Sequence, residues 1–178
     1  MRVGSAVGNR QARSGGSQRE ARRSRVRGQA SVWHAVFGGR VHETGVNARS
    51  RVLIVDDEEL VLLVLRDGLA ALGDEYEVET AQSGLEALRK FKEMGFDLVI
   101  TDLRMADMDG VELTEAIRTW DPVAMVIWIT AYDCHKMRAE AERLAVYRCL
   151  DKPLEIPEIR AVVSQALEEK RARSGAGS

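Results

Sequence analysis

Four apolar runs in this 178-residue chain each lead into polar side chains that can do chemistry. Val52-Leu53-Ile54-Val55 ends on Asp56-Asp57. Leu98-Val99-Ile100-Thr101 ends on Asp102. The run from Val123 to Ile129 ends on Thr130, with small Ala131 behind it. Val146 to Leu150, interrupted by Arg148, is closed by Asp151-Lys152-Pro153. A carboxylate can act as a nucleophile and carry a phosphoryl group as an aspartyl phosphate. Such a transfer asks the protein mainly for positioning and for charge stabilisation around the equatorial oxygens. Lys152 offers an ammonium group and Thr130 a hydroxyl that can donate to a phosphoryl oxygen. Three crowded carboxylates (Asp56, Asp57 and Asp102) repel, which raises the cost of ionising all of them. A hard divalent cation relieves that repulsion, and magnesium takes oxygen ligands, keeps waters and needs only one or two protein carboxylates. Taken singly, Asp102 before Gly110 is an ordinary turn former. The recurrence of a polar group directly after each apolar run is what carries the signal.

The elements that must position these residues alternate. Continuous apolar strands are those buried on both faces of a parallel sheet. After Asp57, Leu60, Val61, Val64, Leu65, Leu69 and Leu72 recur at helical spacing, and Gly73 marks the stop. Tyr76, Val78 and Thr80 alternate with Glu75, Glu77 and Glu79, which predicts a half-exposed edge strand. Ser83-Gly84-Leu85-Glu86 is a capping box for a helix with Leu85, Leu88 and Phe91 inward and Gly95 at its end. The third strand is Asp97 to Thr101. Its helix starts near Gly110, with Leu113, Ala116, Ile117 and Trp120 on one face, and Asp121-Pro122 breaks it. A weakly amphipathic, highly charged helix runs from about Asp133 to Leu144, on a thin stripe of Met137, Ala141 and Leu144. The last helix runs from Ile156 or Pro157 to Arg171, burying Ile159, Val162, Val163, Ala166 and Leu167, and residues 173–178 are expected to fray. Trp120 and Trp128 both fall in core patterns.

Five β-α units in about 120 residues, with right-handed crossovers, predict an α/β fold, a flavodoxin-like (βα)5 three-layer sandwich. Its parallel sheet has the order 2-1-3-4-5, with the weak second and fifth strands at the edges. The crevice then opens between strands one and three, where Asp56-Asp57 and Asp102 end.

Composition splits the chain in two. Residues 1–51 hold 11 Arg, no Lys and 2 Glu, a net of +9, whereas the remainder holds 15 basic and 26 acidic side chains, a net of −11. Residues 1–50 form a basic N-terminal extension. Through residue 31 it has too few large apolar groups to offset the entropy of ordering. Four readings stand for it: translation that truly starts near Val46, a solvated tail, an arm that binds nucleic acid through phosphates, and an Arg-rich, acid-poor transit-like sequence. His34 and His42 have no metal-ligand spacing and receive no role. No apolar run reaches membrane-spanning length and no signal-peptide core is present. Cys134 and Cys149 follow no metal or redox spacing. The expectation is a cytoplasmic protein without a structural disulfide, in which Cys149 is a small apolar filler.

On the acidic pair in IVDDEE, the acceptor in TDLRMADMDG, the hydroxyl in ITAY and the lysine in DKP, residues 51–172 resemble the receiver domain of two-component response regulators. The resemblance implies phosphorylation of Asp102 in a Mg2+-dependent step. Asp57 and Asp102 would bind the metal directly, the Arg104 backbone carbonyl would be a third ligand, and Asp56 would act mainly through water. Thr130 and Lys152 would contact the phosphoryl group. A histidine kinase or a histidine phosphotransfer protein would supply it. Such a chain is a signalling domain rather than an enzyme. Only a Ser/Gly-rich stretch, residues 173–178, follows the domain, so no DNA-binding domain is expected and output is expected through contact with a downstream protein target. Two positions depart from the family pattern: Ala106 stands where proline is common, and Cys149 stands where an aromatic is usual. A switch would then use another element, such as the loop before the fourth helix. The side chains of Arg104 and Tyr132 flank the phosphate site.

Two other classes were weighed on the same residues. An aspartyl phosphatase of the haloacid-dehalogenase type wants a second Asp two residues after the nucleophile, where Arg104 stands. A pseudo-receiver that binds a partner without phosphorylation usually lacks the acceptor or the acidic pair, and both are intact. A dinucleotide-binding Rossmann domain would need a glycine-rich turn after the first strand, and there is none.

Overall fold

The structure is a computed structural model, and it describes residues 49–70, 73 and 76–175. The readings of the basic extension over residues 1–48, of Leu72 and Glu75, and of residues 176–178 lie outside the described residues.

Five parallel strands form one sheet: β1 (Ser50–Val55), β2 (Tyr76–Ala81), β3 (Leu98–Asp102), β4 (Met125–Thr130) and β5 (Arg148–Asp151). Their order is β2-β1-β3-β4-β5, as the alternation of elements predicts. The helices between and after them are α1 (Glu59–Ala70), α2 (Gly84–Met94), α3 (Gly110–Trp120), α4 (Cys134–Arg143) and α5 (Ile156–Gly175). Successive strand residues point to opposite faces, and β1 feeds both layers of core. Val52 and Ile54 pack with Leu62, Leu65 and Leu69 of α1 and with Ile159, Val163 and Leu167 of α5. Leu53 and Val55 pack with Ala87 and Phe91 of α2, Leu113 and Ile117 of α3, and Trp128. Each fully buried Leu, Ile or Val contributes about 1.5–3 kcal/mol relative to exposure, so the three central strands and the four well-packed helices hold the sheet rim in place.

Helix termini follow local chemistry. Asp109 caps α3 in a full capping box, accepting from the Glu112 N–H while the Glu112 side chain accepts from the Asp109 N–H. At α2 only half of the expected box forms. Ser83 accepts from the Glu86 N–H at 3.1 Å, but the Glu86 carboxylate turns to the Gln82 N–H at 3.0 Å. Gly73 and Gly95 have positive φ, which suits glycine at the ends of α1 and α2.

Several packing expectations are corrected. On α1 the buried residues are Leu62, Leu65, Gly68 and Leu69, while Leu60 and Val64 are exposed, Leu60 by 74%. The helix is apolar on more than one side, so spacing alone selected the wrong stripe. Leu85 is exposed, and Ala87 takes the inward place beside Phe91. Trp120, expected in the core, lies on the surface as the last residue of α3, with Lys92 over its ring at 5.6 Å. Val123 is exposed before the strand, which starts at Met125. Helix α5 continues to Gly175 rather than fraying from Arg173, with an Arg173–Glu169 ion pair at 2.6 Å along it.

Candidate functional site

The parallel registers set the rim. Ile54 pairs with Ile100 and Val55 with Thr101, so Asp56 and Asp102 follow adjacent strand ends. Asp102 pairs with Ile129, and Thr130 pairs with Asp151. One residue further along, the Lys152 N–H donates to the Thr130 carbonyl at 2.7 Å, which pins the lysine to the end of β4. The Lys152–Pro153 peptide is cis.

From that backbone the Lys152 ammonium reaches back across the sheet. It lies 2.8 Å from Asp56 Oδ2 and 2.8 Å from Asp102 Oδ1. The two carboxylates are thus bridged by one cation, with Asp56 fully buried and Asp102 nearly so. The second Asp56 oxygen accepts from the Glu58 N–H at 2.9 Å, and Asp102 Oδ2 accepts from the Arg104 N–H at 2.5 Å. Burial pushes the Asp56 carboxyl above its ordinary range, against the opposing pull of the Lys152 ammonium and the Glu58 N–H. Burial also works against the charge on Lys152. The hydrogen bonds and charges of Asp102 and Asp56 outweigh it and raise the ammonium above its usual value.

Of the predicted residues, the structure brings Asp56, Asp102 and Lys152 into direct contact. Thr130 is fully buried at the next strand end, its hydroxyl accepting from the Tyr132 N–H at 2.9 Å. Asp57 is exposed on the loop after β1. The Arg104 guanidinium sits over the Tyr132 ring at 4.5 Å, so the two flanking side chains meet and bridge the loops after β3 and β4.

Among the described residues, no group of three His, Cys, Asp or Glu side chains gathers closely enough to hold a metal ion. An all-protein cage is therefore absent there. The donor set still fits magnesium, which is satisfied by one or two carboxylates with retained waters. The rim offers three carboxylates against one ammonium, and the buried Asp56 already resists ionisation.

Sequence reasoning missed what holds the loop after Asp102. A Cβ at Gly110 would meet the Asp102 carbonyl oxygen at 2.3 Å and the Leu103 Cα at 3.0 Å, so only glycine lets α3 start this close to Asp102. A buried relay then ties this start to the core. Trp128 Nε1–H donates to Thr114 Oγ1 at 2.8 Å, and the Thr114 hydroxyl donates to the Gly110 carbonyl at 2.6 Å. Asp107 accepts from the Gly84 and Leu85 N–H groups at 3.3 and 3.2 Å and so clips the loop to the start of α2. A Thr four residues into a helix that starts with Gly was the available signal, but its partner Trp128 lies in another element.

The expectation that Cys134 and Cys149 stay unpaired is overturned. A disulfide joins them, with Cα atoms 5.9 Å apart. They are 15 residues apart in sequence, and only the pairing of β5 beside β4 brings β5 under the first turn of α4. No short-range spacing rule sees such a pair.

Among the described residues, no helix is long and apolar enough to cross a membrane. The family model for the response regulator receiver domain matches residues 52–164. The transcriptional regulatory protein ZraR of Klebsiella oxytoca is 38% identical over 120 residues, covering 67% of this chain and 27% of that protein. The regulatory protein AtoC of Escherichia coli is 33% identical over 123 residues, covering 69% of this chain and 26% of that protein. The chain thus spans little more than a quarter of the length of these curated relatives. Among solved structures, a CheY-like receiver domain protein from Methanospirillum hungatei superposes with a TM-score of 0.67 at 27% identity, covering 71% of this chain and 99% of the other. A receiver domain protein from Clostridium thermocellum gives 0.64 at 28%, covering 69% and 98%. A family match that runs from the first strand into the last helix, on a sheet whose rim gathers the matched side chains, leaves one conclusion: the chain belongs to the response regulator receiver family.

Proposed function

We propose that this domain accepts a phosphoryl group on Asp102 from a histidine kinase or a histidine phosphotransfer protein and passes the signal on by protein–protein contact. The observation that carries the reading is the Lys152 ammonium bridging Asp102 and the buried Asp56 at 2.8 Å each. Asp102 is held by the Arg104 N–H with one oxygen and by Lys152 with the other, so attack on phosphorus requires one of these contacts to open. Lys152 then moves from the carboxylate to the incoming phosphoryl oxygens, where its charge is needed. Thr130 reorients its hydroxyl from the Tyr132 N–H to the same oxygens. Asp57, Asp102 and the Arg104 carbonyl would hold Mg2+, with Asp56 acting through water, and the ion would supply further charge neutralisation during phosphoryl transfer.

The exposed row Leu60, Leu63 and Val64 on α1 begins just past Asp57 and supports docking of the donor beside the site. On this reading the domain is a signalling module of the cytoplasm and not an enzyme with a free substrate. A pseudo-receiver is disfavoured by the intact Asp102–Lys152 contact, and an aspartyl phosphatase by Arg104 at the position of its general acid.

The test is direct. The protein is incubated with Mg2+ and a small phosphodonor such as acetyl phosphate and followed by intact mass. One phosphoryl group is expected on the wild type and none on Asp102→Asn. A phosphorylated Asp102→Asn protein refutes the assignment.

A further inference from the structure

Of the five helices among the described residues, α4 is the one with no buried residue. Met137 and Ala141 are only half-buried, and most of its other side chains are charged and exposed. It is held at its two ends instead. At the C-terminal end Arg118 of α3 donates to the Leu144 carbonyl at 2.8 Å and the Ala145 carbonyl at 2.7 Å, and Leu144 is buried. At the N-terminal end the Cys134 N–H donates to the Asp151 carboxylate at 2.9 Å, and the Cys134 side chain is bonded to Cys149 of β5. The N-terminal tether sits at the site. Cys134 is four residues past Thr130, and Cys149 is three before Lys152. The exposed loop between, residues 131–133, carries Tyr132, whose ring covers Arg104.

We propose that Cys134 and Cys149 form a reversible redox modification site, a dithiol–disulfide pair whose oxidation staples the first turn of α4 to β5 and whose reduction releases it. The co-reactant is a small-molecule disulfide of the glutathione class. One thiolate attacks its S–S bond and forms a mixed disulfide. The second thiolate displaces the small thiol, leaving the protein S–S bond, two small thiols and two protein thiols oxidised by two electrons. A cytosolic disulfide of this kind is characteristically transient and redox-sensing rather than structural. The half-buried Cys149 and the partly exposed first turn of α4 leave the pair within reach of a small co-reactant. Because α4 has little buried surface of its own, the staple decides how freely its first turn opens. The inference does not rest on phosphorylation, and it places a second input at the position where the family usually has an aromatic.

The experiment uses the full chain without phosphodonor. Protein treated with oxidised glutathione is compared with protein treated with dithiothreitol, by thiol alkylation with intact mass and by hydrogen exchange. The oxidised form is expected to take no alkyl group and the reduced form two. Amides of the first turn of α4 should exchange about tenfold faster in the reduced form, with α1 and α5 unchanged. Cys134→Ser and Cys149→Ser, each with one remaining thiol, should take one alkyl group when reduced, stop at the mixed disulfide with oxidised glutathione, and show the fast α4 exchange of the reduced wild type in both cases. Two alkylatable thiols after oxidised glutathione overturn the proposal. So does equal exchange in α4 in the two forms.

Discussion

The two halves of the rim are built differently. Around β1 and β3, Asp56 and Asp102 stand at the ends of strands that are buried throughout except at half-buried Arg51, Gly110 packs directly on the Asp102 backbone, and Lys152 clamps both carboxylates. Around β4 and β5, Thr130 is buried, but residues 131–133 after it are exposed, and α4 is fastened mainly at its ends, with only half-buried Met137 and Ala141 against the core between them. The first half has the rigidity that positioning chemistry demands. The second has the sparse packing that lets an element shift at small cost. Chemistry and response are therefore assigned to neighbouring strands that share a register, so a change at Asp102 has a short path, through Thr130 and residues 131–133, to the part that can move.

The largest effect should come from breaking the clamp. Lys152→Ala leaves the buried Asp56 without its cation, a loss of about 3 kcal/mol, read by urea unfolding at neutral pH. The sign of its pH dependence follows from the raised Lys152 pKa. The stabilisation is fully present below the ordinary lysine value of 10.5 and is lost as pH rises through the higher folded value. The gap between wild type and variant should therefore close above pH 10.5, and a gap that widens there would break the contrast between a clamped half and a loose one. A variant as stable as the wild type at neutral pH would do the same.

A middle-sized effect tests how the rigid half is braced from the core. Trp128→Phe keeps an aromatic side chain but removes the Nε1–H donor to Thr114, leaving a buried hydroxyl short of a partner at a cost of about 1–3 kcal/mol, to which the cavity left by the smaller ring adds. It should also slow phosphorylation of Asp102 by loosening the Thr114–Gly110 bond. Unchanged stability and rate together would show that the acceptor loop does not depend on this relay. The smallest effect sharpens the other half. Arg118→Ala removes the carbonyl contacts at the end of α4, and about 1.5 kcal/mol of local stability with them. Hydrogen exchange should accelerate in the last turn of α4 while phosphorylation by a small donor stays unchanged. Slowed phosphorylation would mean that the two halves are not separable.

Much of this was legible before the structure. Four of the five strands carry their own apolar run and lead into their own polar residue, so Asp56, Asp102, Thr130 and Lys152 could be placed from local signals, and weak second and fifth strands at the edges fitted the flavodoxin-like order 2-1-3-4-5 that the sheet has. Where the reading erred, the information was not local. Leu60 and Val64 fit a helical period as well as Leu62 does, and only the position of β1 and α5 decides which side faces in. Trp120 and Trp128 looked alike in pattern, yet one lies on the surface and the other is the largest fully buried side chain.

By itself, then, the sequence determined the order of elements, the fold and which polar residues end the strands on the rim, because periodicity and strand-end chemistry act over a few residues. Tertiary structure decided the Lys152 bridge to Asp56 across 96 residues of chain, the Trp128–Thr114–Gly110 brace, the grip of Arg118 and the Cys134–Cys149 bond. Each of these joins groups that meet only once the sheet has closed, and the energy of a contact depends on distance in space, which no spacing along the chain encodes.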